Sequence, residues 1–205
     1  MRRWHPLAAS LAALALTAAL SAPGAARRQS CDRSQVFRRD MLDNFRTPGA
    51  RTQPSSELRA YLAGIKTGSR ENQGYDNGAA GTGFGDSFTL GAEPVCSVLV
   101  EIAVRKAPQG LAGTGWSGDE VRVGRAPFAA EGQILYRDSL WAGPNAERSA
   151  RTLHIPLASD SLALAGVNAF LEAHGGVLDV AVGGHSNVDY VAVYVTRRLP
   201  AEPRP

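Results

Sequence analysis

Hydrophobic positions change their period twice along this chain. Leu7 to Leu20 form an Ala- and Leu-rich run behind Met1, Arg2 and Arg3, and small residues from Ser21 to Ala26 follow. That order predicts a cleavable signal peptide over 1–26 and a protein that works outside the cytoplasm, in the periplasm or secreted. The run is too short, and too soon followed by Arg27 and Arg28, to remain as a membrane-spanning helix.

Helical spacing comes next. Phe37, Met41 and Phe45, flanked by Val36 and Leu42, make one apolar stripe over Asp32–Arg46, and Thr47-Pro48-Gly49 stops it. Leu58, Tyr61, Leu62 and Ile65 make a second stripe, with Ser55 as N-cap and Gly68 at the left-handed end. Two short amphipathic helices are therefore expected within a segment spanning 27–69. From Ser69 to Asp86 no period exists, and the Gly, Asn and Asp content predicts a long loop.

The period then falls to two. Val98, Val100, Ile102 and Val104 alternate with Ser97, Leu99, Glu101, Ala103 and Arg105. Further strands are expected over Asp86–Leu90, Glu120–Gly124, Gln133–Tyr136, Thr152–Leu157, Val177–Val182 and Val188–Thr196. Leu153/Ile155/Leu157, Leu178/Val180/Val182 and Val191/Val193/Val195 are the expected core faces. Ser161–His174 is expected to be a short helix between strands, through Leu164, Val167 and Leu171. Strands broken by Gly, Pro and Asn, without a βαβ rhythm, predict a mainly β antiparallel sandwich over about 70–199, preceded by the two helices. A Pro-rich tail, 200–205, follows.

Composition narrows the function. Loss of the leader removes Arg2 and Arg3 and no acid, so 22 basic residues become 20 against 19 acidic. With no run of like charge, a nucleic-acid partner is not expected. Cys31 and Cys96 are the two cysteines of the sequence, and in an exported chain such a pair predicts one disulfide. No His-x-x-x-His, Cys-x-x-Cys or Gly-x-Ser-x-Gly pattern occurs, so no catalytic residue is assigned. His154 is expected to face outward from its strand, and His174 to end the short helix. If the last two strands pair through the Gly183–Asn187 turn, Asp179 and Asp189 approach each other. Solvent-facing or turn-binding roles are expected for them over a glycosidase pair.

The segment from about Gly83 to Arg197 resembles jelly-roll sandwiches of the galactose-binding-like class, which includes many carbohydrate-binding modules. The residues that carry the resemblance are Gly85–Leu90 leading into Cys96–Arg105, then Asp119 and Glu120, the Tyr136 to Trp141 segment and Leu153–Leu157. The closing strands Gly176–Val182 and Asn187–Val195, with Val-Asp-Tyr near the start of the latter, complete it. The resemblance implies a non-catalytic binding module for carbohydrate or cell-envelope glycan. It also implies a possible structural calcium, held by hard oxygens such as Asp86, Asp119 and Asp189.

Aromatic rings stack on sugar faces while neighbouring polar groups take hydroxyls, which makes Trp116, Tyr75, Asn77 and Tyr190 the candidate ligand contacts. Trp116, in a Gly-rich loop, is the foremost of them, whereas Trp141 is expected to cap the core. The competing expectation is a periplasmic or surface protein that binds a cell-envelope protein, with a hydrolase least favoured.

Overall fold

The final strand of the chain runs through the middle of one sheet, and everything else is arranged around it. In a computed structural model, the residues described are 31, 33–41, 43, 45, 49–64, 75, 83–106, 119–130, 132–145, 148–183 and 186–198. The leader, Asn77, Trp116, His185 and the tail lie outside them. The strands are β1 (Arg33–Arg39), β2 (Phe84–Thr89), β3 (Val95–Lys106), β4 (Glu120–Gly124), β5 (Ile134–Ser139), β6 (Ala150–Pro156), β7 (Val177–Val182) and β8 (Ser186–Arg197). Helix α1 covers Ser56–Gly64 and α2 covers Ser161–Ala173. A first sheet of order β1-β8-β3-β6 packs against a second of order β2-β7-β4-β5, and every pairing is antiparallel.

The alternation expected from the sequence sets the core. Val98, Val100, Ile102 and Val104 of β3 face inward, as do Val191, Val193 and Val195 of β8 and Leu178, Val180 and Val182 of β7. Leu153, Ile155 and Leu157 join the same cluster, and Trp141 caps it at 8% exposure with its indole N–H on the Ser186 hydroxyl at 2.9 Å.

Residues 33–39, expected to be helical, form a strand. Gln35, Phe37 and Arg39 turn inward while Ser34, Val36 and Arg38 turn outward. Seven consecutive residues pair with β8, from Arg33 opposite Arg197 to Arg39 opposite Val191. The Phe37, Met41 and Phe45 spacing suited a helix, but an unsatisfied sheet edge offers a ladder of backbone bonds that a lone short helix cannot match. The left-handed backbone at Asp40 (φ 63°) then turns the chain out of the strand.

The second expected helix is present. Ser55 caps it, its hydroxyl accepting from the Leu58 N–H at 3.1 Å. Leu58 and Leu62 bury themselves against Ala181, Ala126 and Phe128 on the outer face of the second sheet. Gly85 permits this approach, because a Cβ there would stand 2.6 Å from Leu62 Cδ1. The other helix, α2, lies late in the chain, where the short helix between strands was expected, and carries the chain from β6 to β7. Asp160 caps its start by accepting from Ala163 N at 2.8 Å. At its end Gly176 sits at φ 73°, against the backbone of Gly91.

The disulfide joins Cys31 to Cys96 over a separation of 65 residues, which fits an oxidising compartment. Cys96 is the extra residue of a bulge in β3, where Val95 faces Arg197 and Ser97 faces Thr196. The bond therefore crosses the end of β8, tying its two neighbours β1 and β3. No helix among the described residues is long and apolar enough to cross a membrane.

Candidate functional site

Among the described residues, three groups of polar side chains contain the candidate residues or adjoin them. Two of them hold the fold, and one faces solvent.

The first lies under α1, on the outer face of the second sheet. Asp179 is fully buried. Its Oδ1 accepts from the Ser87 hydroxyl at 2.5 Å and the Ser55 hydroxyl at 3.1 Å, and its Oδ2 from the Ala126 N–H at 2.9 Å. Arg125 Nη1 completes the shell at 3.2 Å, while its Nη2 reaches Glu57 at 2.8 Å. Each acceptor of Asp179 is occupied from within, so this carboxylate binds the helix to the sheet. It is neither solvent-facing nor near a partner on β8. Strands β7 and β8 fall in different sheets, so the pairing that would have brought Asp179 to Asp189 does not form. Val182 ends β7 in the second sheet and Ser186 begins β8 in the first.

The second lies at the edge where β1 and β2 face each other across the sandwich. Tyr75 is 1% exposed, its ring edge-on to Phe84, and its hydroxyl donates to Asp86 Oδ2 at 2.7 Å. Asp86 Oδ1 accepts from the N–H groups of Gln53 (2.7 Å) and Ser87 (2.8 Å), and Arg39 Nε stands 3.7 Å from Oδ2. Burial pushes the Asp86 carboxyl above the ordinary range, against the hydrogen bonds that favour its charged form. Tyr75 is a buried core ring and no exposed stacking ring. Burial and the neighbouring carboxylate push its phenol well up.

The three expected calcium aspartates are dispersed. Asp86 is closed off as above. Asp119 precedes β4, and its carbonyl accepts from Leu140 N at 2.7 Å. Asp189 is the extra residue of a bulge in β8, between the pairs Ala103–Tyr190 and Val104–Val188. Its Oδ1 accepts from Phe45 N at 3.2 Å; its Oδ2, and Oδ1 of Asn187, are buried without a hydrogen-bond partner. Among the described residues no three His, Cys, Asp or Glu stand together to hold a metal, so these aspartates do not form one calcium site between them.

The third cluster occupies the outer face of the first sheet and crosses all four of its strands. Register puts Arg38 of β1 opposite Ala192 of β8, Ala192 opposite Glu101 of β3, and Glu101 opposite His154 of β6. Tyr190 and Tyr194 flank Ala192 on the same face. Glu101 Oε1 accepts from the Tyr190 hydroxyl, and its Oε2 pairs with His154 Nδ1 at 3.1 Å. Arg38 lies over the Tyr190 ring, 5.9 Å from its centroid, and donates to the Tyr194 hydroxyl at 3.4 Å. Tyr190 is only 4% exposed, and burial followed by the Glu101 bond pushes its phenol far above the ordinary value. The His154 side chain is 60% exposed, Arg38 is exposed and Tyr194 half-buried. What solvent meets is therefore a guanidinium, a phenol edge and an imidazole, held in place by a buried phenol and a carboxylate.

Of the four expected ligand contacts, the structure places Tyr190 in this row and Tyr75 in the core; Trp116 and Asn77 lie outside the described residues. Arg38, Glu101 and Tyr194 are not among the expected contacts, although Tyr194 shares the expected non-core face of the last strand with Tyr190. The signal for Glu101 and Tyr194 was the alternation that puts them on the face opposite the core. For Arg38 no such signal existed while its segment read as a helix. Comparison with protein-family models, with curated proteins and with solved structures finds no match to this chain.

Proposed function

We propose that the protein is an exported, non-catalytic binding module for a carbohydrate or cell-envelope glycan, built on a jelly-roll sandwich of the galactose-binding-like kind. The row Arg38–Tyr194–Tyr190–Glu101–His154 carries this reading. It is a polar and aromatic surface spread over four adjacent strands, with its rotamers held by internal hydrogen bonds. Sheet faces of this sort suit an extended, amphipathic ligand. Sugar rings lie against the aromatic edge while the guanidinium and imidazole take hydroxyls. The strand order β1-β8-β3-β6 over β2-β7-β4-β5 supports the jelly-roll assignment. Trp116, within the Gly-rich stretch 113–118 of the sequence, stays in the proposal.

The test is retention on immobilised glycans and cell-wall polymers. Saturable binding that weakens at least tenfold in Tyr194→Ala, with circular dichroism unchanged, supports the reading. Retention on no polymer removes it. The competing reading, a surface protein that binds another protein, draws on one observation: Val36 is 55% and Met41 70% exposed beside the edge strand β1. Under that reading the glycan panel is silent.

A further inference from the structure

Charge on the outer face of the first sheet is unevenly spent, and this says what the ligand carries. Alternation places one carboxylate of the strands on this face, that of Glu101, and both of its oxygens are engaged, by Tyr190 and by His154 Nδ1. Asp189, nearby on β8, is fully buried. The cations are in the opposite condition. Among the described residues Arg38 forms no ion pair, and its one hydrogen bond there is the 3.4 Å contact to the Tyr194 hydroxyl. Arg105 stands on the same face of β3, four residues beyond Glu101. Its guanidinium rests 4.2 Å from the centroid of the Phe45 ring, again with no ion pair to a described residue. Among the described residues each guanidinium is thus oriented by an aromatic ring and left with donors to spare.

Resting on the glycan reading above, we infer that the ligand is an acidic glycan, a polymer bearing carboxylates, which Arg38 and Arg105 read on the outer face of the first sheet. A planar guanidinium matches a carboxylate by two parallel N–H···O bonds, a geometry that hydroxyls alone do not use fully. The carboxylate already on the face is neutralised in place and does not repel an anion. Spacing argues for a polymer over a single sugar. Arg38 lies opposite Glu101 across β8, so the Cα atoms of the two arginines are two strand spacings and four residues apart, roughly 16 Å from the strand dimensions. A chain with repeating carboxylates spans that distance and meets both.

The experiment uses polygalacturonate and its fully methyl-esterified form, the same backbone with and without charge. Titration calorimetry follows wild type, Arg38→Gln and Arg105→Gln, each checked by circular dichroism. The inference expects at least tenfold tighter binding of the acid than of the ester, loss of that preference in Arg38→Gln, and partial loss in Arg105→Gln. It also expects affinity to rise steeply once oligogalacturonates are long enough to span both arginines. Equal binding of acid and ester overturns the inference and leaves the glycan reading standing. A preference for the acid that survives both substitutions overturns it as well, since the charge is then read elsewhere. No binding to either polymer, or to any in the wider panel, removes the glycan reading and this inference together.

Discussion

The Tyr190 hydroxyl donates to Glu101 from a diagonal position: Glu101 stands directly opposite Ala192, and Tyr190 opposite Ala103. Small alanines at both directly opposed positions leave room for the long side chains to lean across and meet. A buried phenol and a carboxylate held in this way form a unit, so their contributions to stability do not add. Tyr190→Phe leaves Glu101 Oε1 without its donor and is expected to cost about 1–3 kcal/mol. Combined with Glu101→Gln, the loss is smaller than the sum by about 1 kcal/mol, which urea unfolding of the four-member cycle measures.

Asp179 and Arg125 make the second such unit, buried beneath α1. Asp179→Ala removes the acceptor of Arg125 Nη1 and of three other donors, leaving Glu57 as the partner of Nη2, and is expected to cost about 3–5 kcal/mol. The helix docks through this carboxylate, so the variant is also expected to become cleavable within residues 56–64 under limited proteolysis in native buffer. Wild-type resistance in that segment would count against the docking role.

Alkaline conditions separate buried from exposed phenols. Tyr75 and Tyr190 have folded-state pKa values raised above the ordinary phenol value of about 10. Their contribution to stability is therefore complete below about pH 10 and is lost as pH rises from there through the folded values, because the unfolded chain releases these protons first. Tyrosine absorbance is expected to titrate in two stages, the second coinciding with loss of far-ultraviolet dichroism. In Tyr75→Phe the alkaline slope flattens. Stability at neutral pH meanwhile falls by about 1–3 kcal/mol through the unmet Asp86 Oδ2.

Reduction should be felt globally. A bond closing a loop of 65 residues restricts the unfolded chain by about 4 kcal/mol in the chain-entropy account. Dithiothreitol is expected to lower the melting temperature by many degrees and to loosen β1 first, since Cys31 leads into that edge strand. Hydrogen exchange at residues 33–39 measures the second effect.

Much of this molecule was legible from period alone. Wherever an apolar residue recurred every second position, the strand and its core face followed, because a half-buried strand has no other way to sort its side chains. Ser55 and Leu58/Leu62 announced α1 by cap and spacing, and Leu164, Val167 and Leu171 announced α2. Residues 33–39 misled because three apolar side chains four apart satisfy a helix, while their strand pairing depends on β8, more than 150 residues away. Long-range pairing of that kind leaves no local mark. The same distance hid the site. Tyr190 was visible as an outward aromatic, but Arg38, Glu101 and His154 become its neighbours only once β1, β3 and β6 align around β8. The aspartates show the converse: Asp86, Asp179 and Asp189 looked like surface chemistry, and the fold spends the first two on its own buried donors and buries the third.

Backbone ¹H–¹⁵N spectra recorded during titration with polygalacturonate test the central claim most directly. The account predicts saturable shifts confined to Arg38, Glu101, Arg105, His154, Tyr190 and Tyr194 and their sheet neighbours, with the outer face of the second sheet around α1 unmoved. Shifts centred elsewhere, or none at a glycan concentration where retention is observed, would contradict it.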